Sequence, residues 1–377
     1  MKNTIAIFLL SICLAAGAQA QDALSYYNQG IKLKESTKTA EALAQFRKAI
    51  ALNPKYSEAL YQAGWCQNDL KEYSSAITYL QKARQFGPAM PKLFFELGYA
   101  FEKTGKTDSA LYYYGKCLEM NPGYSLVYKQ LGTMAYMKDD YNTAITNYNK
   151  YEENAKAEIK DYMYWYRKGF SYNALKDYTN ANTALLKSLG LNKEYLNTYL
   201  ELGFAASKRK LDDEAIGYFR TAMNLDPKSH IPLNGIAEVY RDNKKDCDEA
   251  MNWYRKSLQL NPTERKACYG MGYCFNSKEQ FANAIGYLKT AIENEPSYTA
   301  AYIELGYAYY RTDKFTDAET CFNKAIELSP KNENARYYAC LMYVKQKNKA
   351  KAQRMVDELK ALSSKHVTTL QPKVNGL

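Results

Sequence analysis

The sequence predicts an all-α fold, a superhelix (solenoid) of about ten stacked helical hairpins, on three observations. Prolines recur at Pro54, Pro88 and Pro122, then at Pro227, Pro262, Pro296 and Pro330, in steps of 34 or 35 residues, and the 105 residues between the two groups leave room for three more units. Glycines keep the same interval at Gly30, Gly64, Gly98 and Gly132, at Gly169 and Gly203, and at Gly272 and Gly306. Twelve residues after each of these glycines stands an alanine, from Ala42 to Ala318, and four further on a large side chain: Phe46, Leu80, Tyr114, Tyr148, Leu185, Phe219, Leu288 or Phe322. A fixed self-similar period marks a repeat architecture, and spacings of three and four residues are helical.

Taken in chain order, residues 1–20 come first. Lys2 gives a short positive start, Ile5 to Ala16 are apolar, and Ala18-Gln19-Ala20 is a small-any-small cleavage pattern. This reads as a secretory signal peptide removed before Gln21, because the apolar run is too short to span a bilayer. Cys13 lies inside that run, not directly behind a cleavage site, which argues against a lipid anchor. The product is therefore expected to be exported, periplasmic or extracellular. No later stretch is long and apolar enough for a transmembrane segment, and the mean hydropathy is -0.55.

The array is expected over residues 21–366, with units starting at Ala23, Ser57, Pro91, Ser125, Tyr162, Leu196, His230, Arg265, Thr299 and Glu333. Within Pro91–Lys103 apolar residues fall every three or four positions, as an amphipathic helix requires. The polar stretch Thr104 to Thr107 should turn the chain, with Thr107-Asp108 capping a second helix. Asn121-Pro122 should end that helix, the asparagine adopting a left-handed closing conformation. Four irregularities stand out. Three extra residues near Glu152 to Ile159 lengthen one joint, where a change of curvature is expected; Lys193 replaces a proline; Ala237 and Cys340 replace glycines; and Lys244-Lys245-Asp246 adds a residue to the seventh turn. Lys349 to Leu362 is polar on one side, as the end of an array must be. Val367 to Leu377 reads as a poorly ordered C-terminal tail.

Fifty-one Lys and Arg face 40 Asp and Glu, a net charge of +11. The excess is diffuse. Its densest clusters, Lys208-Arg209-Lys210 and Lys347 to Lys351, fall at expected turns, so nucleic acid is not an expected partner, and the charge at most favours acidic partners such as anionic glycans or membrane surfaces. Seven cysteines follow the signal segment, an odd number that cannot all pair within one molecule. Most read as small core fillers, with Cys247 the most exposed thiol. His230 and His366 are too far apart in an array to cooperate. Cys268 and Cys274, six residues apart, point in different directions on one helix. No phosphate loop, nucleophile elbow or paired-carboxylate cleft occurs, so no catalytic residue, cofactor or metal site is expected and the chain does not read as an enzyme.

The order of a large residue, Leu-Gly, an aromatic, Ala, a second aromatic and Pro resembles the tetratricopeptide repeat. It is clearest at Phe94, Leu97, Gly98, Phe101, Ala110, Tyr114 and Pro122, and at Tyr302, Leu305, Gly306, Tyr309, Ala318, Phe322, Ala325 and Pro330. The resemblance implies that first helices line a concave face. The position after the glycine there carries Trp65, Tyr99, Phe170, Phe204, Tyr273 and Tyr307, and the position three before it carries Tyr61, Phe95, Tyr166 and Tyr269. These ten residues are the candidate partner-binding groove. Aromatics before the glycine are equally explained by packing; those after it either pack against each other or form an exposed stripe suited to apolar or proline-rich peptide side chains, or to sugar rings. Lys129 alone, with Thr133 beside it, is a poor match to family members that grip a peptide carboxylate. The reading is a non-enzymatic protein-protein interaction scaffold of the bacterial cell envelope, with a protein or peptide partner or a cell-envelope complex as the expected partner. The alternative is a glycan or peptidoglycan binding protein, and a third reading is a solubilising chaperone for exported chains.

Overall fold

The computed structural model describes residues 21–377; the expected signal peptide lies outside the described residues. No strand occurs among them. The chain forms two compact units that divide between Lys160 and Asp161. The first holds four helical hairpins: 21–35 with Thr39–Leu52, Ser57–Asp69 with Tyr73–Phe86, Pro91–Lys103 with Thr107–Met120, and Ser125–Tyr136 with Tyr141–Asn154. The second holds six more, from Tyr162–Ala174 with Tyr178–Leu191 to Glu333–Lys345 with Lys349–Ala361, and a last helix, Val367–Asn375. Eight of the ten expected starts are the first residues of helices, and the division falls at the lengthened joint.

Why the glycines keep time is visible at Gly98. A Cβ built there would lie 2.6 Å from Cδ1 of Tyr114, so the absent side chain is the space that the aromatic ring of the second helix fills. Gly306 and Phe322 repeat the arrangement at 2.7 Å. Each hairpin is thus closed by a ring seated on bare backbone, at the close packing expected of an interior. Second helices then pack on the first helix of the next hairpin. First helices also pack on one another, as Ser57–Asp69 does on Pro91–Lys103, whereas no pair of successive second helices among the described residues packs comparably. Within each unit the first helices therefore converge on one side.

The turns correct two expectations. The left-handed residue sits inside each hairpin, at Lys71, Gly105, Lys176, Glu279 and Asp313 among others, with φ of 63°, 74°, 65°, 58° and 59°. The next N–H reaches back to a carbonyl five residues earlier, as Lys106 does to Phe101 at 2.9 Å, which closes the helix end. Asn121, by contrast, is extended at φ -144°. Its side chain accepts from the Gly123 N–H at 3.1 Å, a local turn made by the asparagine itself and repeated at Asn53, Asn192 and Asp226. Thr107 is already helical, and Lys106 stands at the cap with no side-chain bond. Carboxylates cap elsewhere: Asp140, Asp177 and Asp246 accept from the N–H three residues on.

The extra residue of the seventh unit is absorbed before the turn. Ile231–Glu238 continues into a π-helical stretch, Val239–Lys244, whose wider winding takes up one residue. At the C-terminus the expected tail is a helix instead. Leu370 and Val374 are fully buried in the core of the last hairpins, because the final second helix still has an apolar face to cover.

Candidate functional site

The ten aromatic residues fall into two layers. Those three before the glycine pack. Phe95, Tyr166 and Tyr269 each lie against a junction tyrosine, Tyr124, Tyr195 and Tyr298, with ring centroids 5.3, 5.1 and 5.1 Å apart. Phe95 and Tyr166 are buried, Tyr61 and Tyr269 half-buried. Burial pushes the Tyr61 and Tyr269 hydroxyls well above the ordinary tyrosine range. Those directly after the glycine reach further out: Trp65, Tyr99, Phe170, Tyr273 and Tyr307 are half-buried, and Phe204 is 38% exposed. The outer layer is not bare. Lys34 Nζ stands 3.8 Å over the Trp65 ring, Lys103 5.0 Å over Tyr99 and Lys208 5.3 Å over Phe204, each a cation–π contact.

Two recesses open between these rings. One, of about 320 Å³, lies between the second and third hairpins and is lined by Trp65, Asn68, Lys71, Tyr73, Glu96 and Tyr99, with Lys129 at its edge. The other, of about 360 Å³ and more apolar, lies between the fifth and sixth and is lined by Phe170, Asn173, Lys176, Tyr178, Glu201 and Phe204. The two linings correspond residue for residue at an offset of 105. Tyr73 meets Tyr99 edge-on at 6.1 Å and 77°, and Tyr178 meets Phe204 at 5.9 Å and 75°. At the base, Asn68 donates to the Glu96 carbonyl at 3.1 Å and to its carboxylate at 2.7 Å, while Asn173 does the same to Glu201 at 3.1 and 2.8 Å. These bonds tie one first helix to the next. Burial drives Glu96 up to about 7 against the opposing pull of the Asn68 bond, and raises Glu201 likewise.

The same framework recurs a third time, between the eighth and ninth hairpins. Asn276 bonds Glu304 at 3.0 and 2.8 Å, and Phe281 meets Tyr307 at 6.2 Å and 76°. Neither the asparagines nor the glutamates were among the residues expected from sequence. Their signal was present, as an asparagine four after one glycine and a glutamate two before the next, at three of the junctions. Also unexpected is Arg241, which the π-helical stretch carries inward to lie 5.9, 5.4 and 5.6 Å from the rings of Tyr254, Tyr269 and Tyr273. It pairs with Asp242 through two bonds of 2.6 and 2.8 Å. Among the described residues the cysteines are buried except Cys247, which is half-buried and packs in the same cluster as Cys274. Burial raises the thiols, Cys66 to about 11 and Cys117 to about 12.

Sequence models of the tetratricopeptide repeat match residues 27–91, 91–124, 164–195, 233–264 and 299–332. The chain belongs to the tetratricopeptide repeat family. This tetratricopeptide array is similar over 93 residues, at 24% identity, to anaphase-promoting complex subunit 3 of Schizosaccharomyces pombe (strain 972 / ATCC 24843), a match that takes in 25% of the array and 14% of that relative's length. Among solved structures it resembles the APC/C hetero-tetramer Cut9-Hcn1, with a TM-score of 0.53 at 14% identity over 98% of this chain and 94% of that one. It also resembles PilW, a type IV pilus biogenesis factor, with a TM-score of 0.51 at 20% identity over 56% and 98%. These likenesses are likenesses of fold. The array is a protein-interaction scaffold, and no helix among its described residues is long and apolar enough to cross a membrane.

Proposed function

We propose that this array is a non-enzymatic scaffold of the bacterial cell envelope, exported by residues 1–20, that holds a protein or peptide partner against its first helices. The observation that carries the reading is the pair of matching aromatic recesses, at Trp65 and Tyr99 and at Phe170 and Phe204, on the face where first helices converge. Recesses of this size accept a side chain or two, and half-exposed aromatic rings are the side chains on which binding energy concentrates. The signal-like N-terminus supports the envelope address. Two experiments test the proposal. Edman sequencing of the mature protein should begin at Gln21, and an intact Met1 terminus would remove the export reading. Crosslinking in intact cells should capture a protein whose recovery falls at least about tenfold when Phe170 and Phe204 are both changed to alanine, since two aromatic contacts exceed that loss. Unchanged recovery would contradict the assignment to these recesses, and retention on insoluble cell wall in place of a protein partner would favour the glycan reading.

A further inference from the structure

The turn of one hairpin and the end of the next first helix meet at a fixed register of 32 residues. Two junctions show what that register does when its charges are opposite. Glu279 accepts from Arg311 at 3.0 Å, and Asp313 pairs with Lys345. In both, the cation is drawn across the aromatic ring two residues after the turn: Arg311 lies 4.8 Å from Phe281, and Lys345 5.7 Å from Phe315. Arg311 also donates to the Tyr307 hydroxyl at 2.6 Å. The third copy of the framework is thereby filled by the chain's own ion pair.

At the two open recesses the same register brings together like charges. On that register Lys71 corresponds to Lys103, and Lys176 to Lys208, the first of each pair lining its recess. Among the described residues no carboxylate pairs with Lys71, Lys176 or Lys208, while Lys103 turns to its neighbour Glu102 at 2.6 Å. Asp242 lies within Coulombic range of Lys208 without bonding it. Asp69 remains on the rim of the first recess, bonded by Thr39, and Lys129 lines that recess as well, whereas Lys176 and Glu201 are the charged lining of the second. Lys71 and Lys176 have no bonded carboxylate, and the paired junctions show where one would sit.

Building on the scaffold reading, we propose that the recess between the fifth and sixth hairpins, and its counterpart between the second and third, bind an acidic peptide segment. A partner's glutamate or aspartate would sit between Lys176 and Lys208, or Lys71 and Lys103, where Glu279 sits for Arg311. An adjacent apolar side chain would enter against Tyr178 and Phe204, or Tyr73 and Tyr99. Specificity then comes from the charge and affinity from the rings.

The test uses the full mature chain and three fluorescein-labelled peptides of alternating leucine with glutamate, glutamine or lysine, read by anisotropy. The glutamate peptide should bind at least about tenfold more tightly than the glutamine one, and the lysine peptide more weakly than either. Lys176→Glu combined with Lys71→Glu recreates the internal pairs and should reduce glutamate-peptide binding to the level of glutamine. Glu279→Lys should add a third site, raising the stoichiometry from two to three. Each variant keeps its exposed turn and should melt like the parent by circular dichroism. Equal binding of the glutamate and glutamine peptides, absence of binding, preference for an oligouronide over the acidic peptide, or indifference to Lys71→Glu and Lys176→Glu would each overturn the inference. If the lysine variants leave recovery of the cellular partner intact while Phe170→Ala with Phe204→Ala abolishes it, the groove stands and the charge assignment falls.

Discussion

Gly98 and Tyr114 show how a single residue sets the spacing of a hairpin. With a Cβ 2.6 Å from the ring, Gly98→Val forces either the tyrosine or the helix to move. It should cost about 1–3 kcal/mol in denaturant unfolding, as overpacking does, whereas the same change at Gly115, inside a helix where nothing lies within 4 Å, should be neutral or slightly stabilising, because valine is the better helix former. Glu96 makes the second prediction at this scale. Its folded value of about 7 exceeds the ordinary 4.5, so the folded state holds the extra proton between those values and stability falls as pH rises through the window. Glu96→Gln should flatten that decline, which for one carboxyl is at most about 1.4 kcal/mol per pH unit; an unchanged pH profile would contradict it. Cys247, half-buried where the other cysteines of the described chain are buried, should be the one thiol that reacts rapidly with a disulfide reagent. Fast labelling of several would mean that the core is open.

At the scale of the element, glycine and alanine positions were legible because packing demands them at fixed offsets, and nearly every helix start followed. The turns were not. The left-handed position is filled mostly by Lys, Asp or Glu and only once by glycine, at Gly105, so composition gave no signal, and Asn-Pro drew the expectation to the wrong end. Hydrogen bonding of the closing turn overrides the conformational preference of the side chain there. Consequently Lys347→Gly, at φ 59°, should stabilise the last hairpin, and Gly105→Ala should destabilise its own, each by up to about 1 kcal/mol. Thermal melts of the two variants, shifted in opposite directions, would check this. The π-helical stretch was half legible. An extra residue was visible in the sequence, but a widened winding satisfies more backbone groups than a longer loop, so the surplus moved into the helix and carried Arg241 inward.

On the scale of the whole molecule, each hairpin relies on neighbours to bury its apolar face, and the chain divides into two compact units beside the lengthened joint. The array and its joint could be read from periodicity alone. The recesses could not, because they depend on residues 28 and 32 apart in different hairpins, a correlation that periodicity of one residue type does not display. Which aromatics stay half-exposed is likewise decided by the junction tyrosines that cover the inner layer. Photo-crosslinking in cells tests the central claim most directly, with the reactive residue placed at Asp69 or Ala174 in the recesses or at Leu111 or Leu186 on exposed second helices. The account predicts a single partner crosslinked from Asp69 and Ala174 and none from Leu111 or Leu186; adducts from the second helices alone would contradict it.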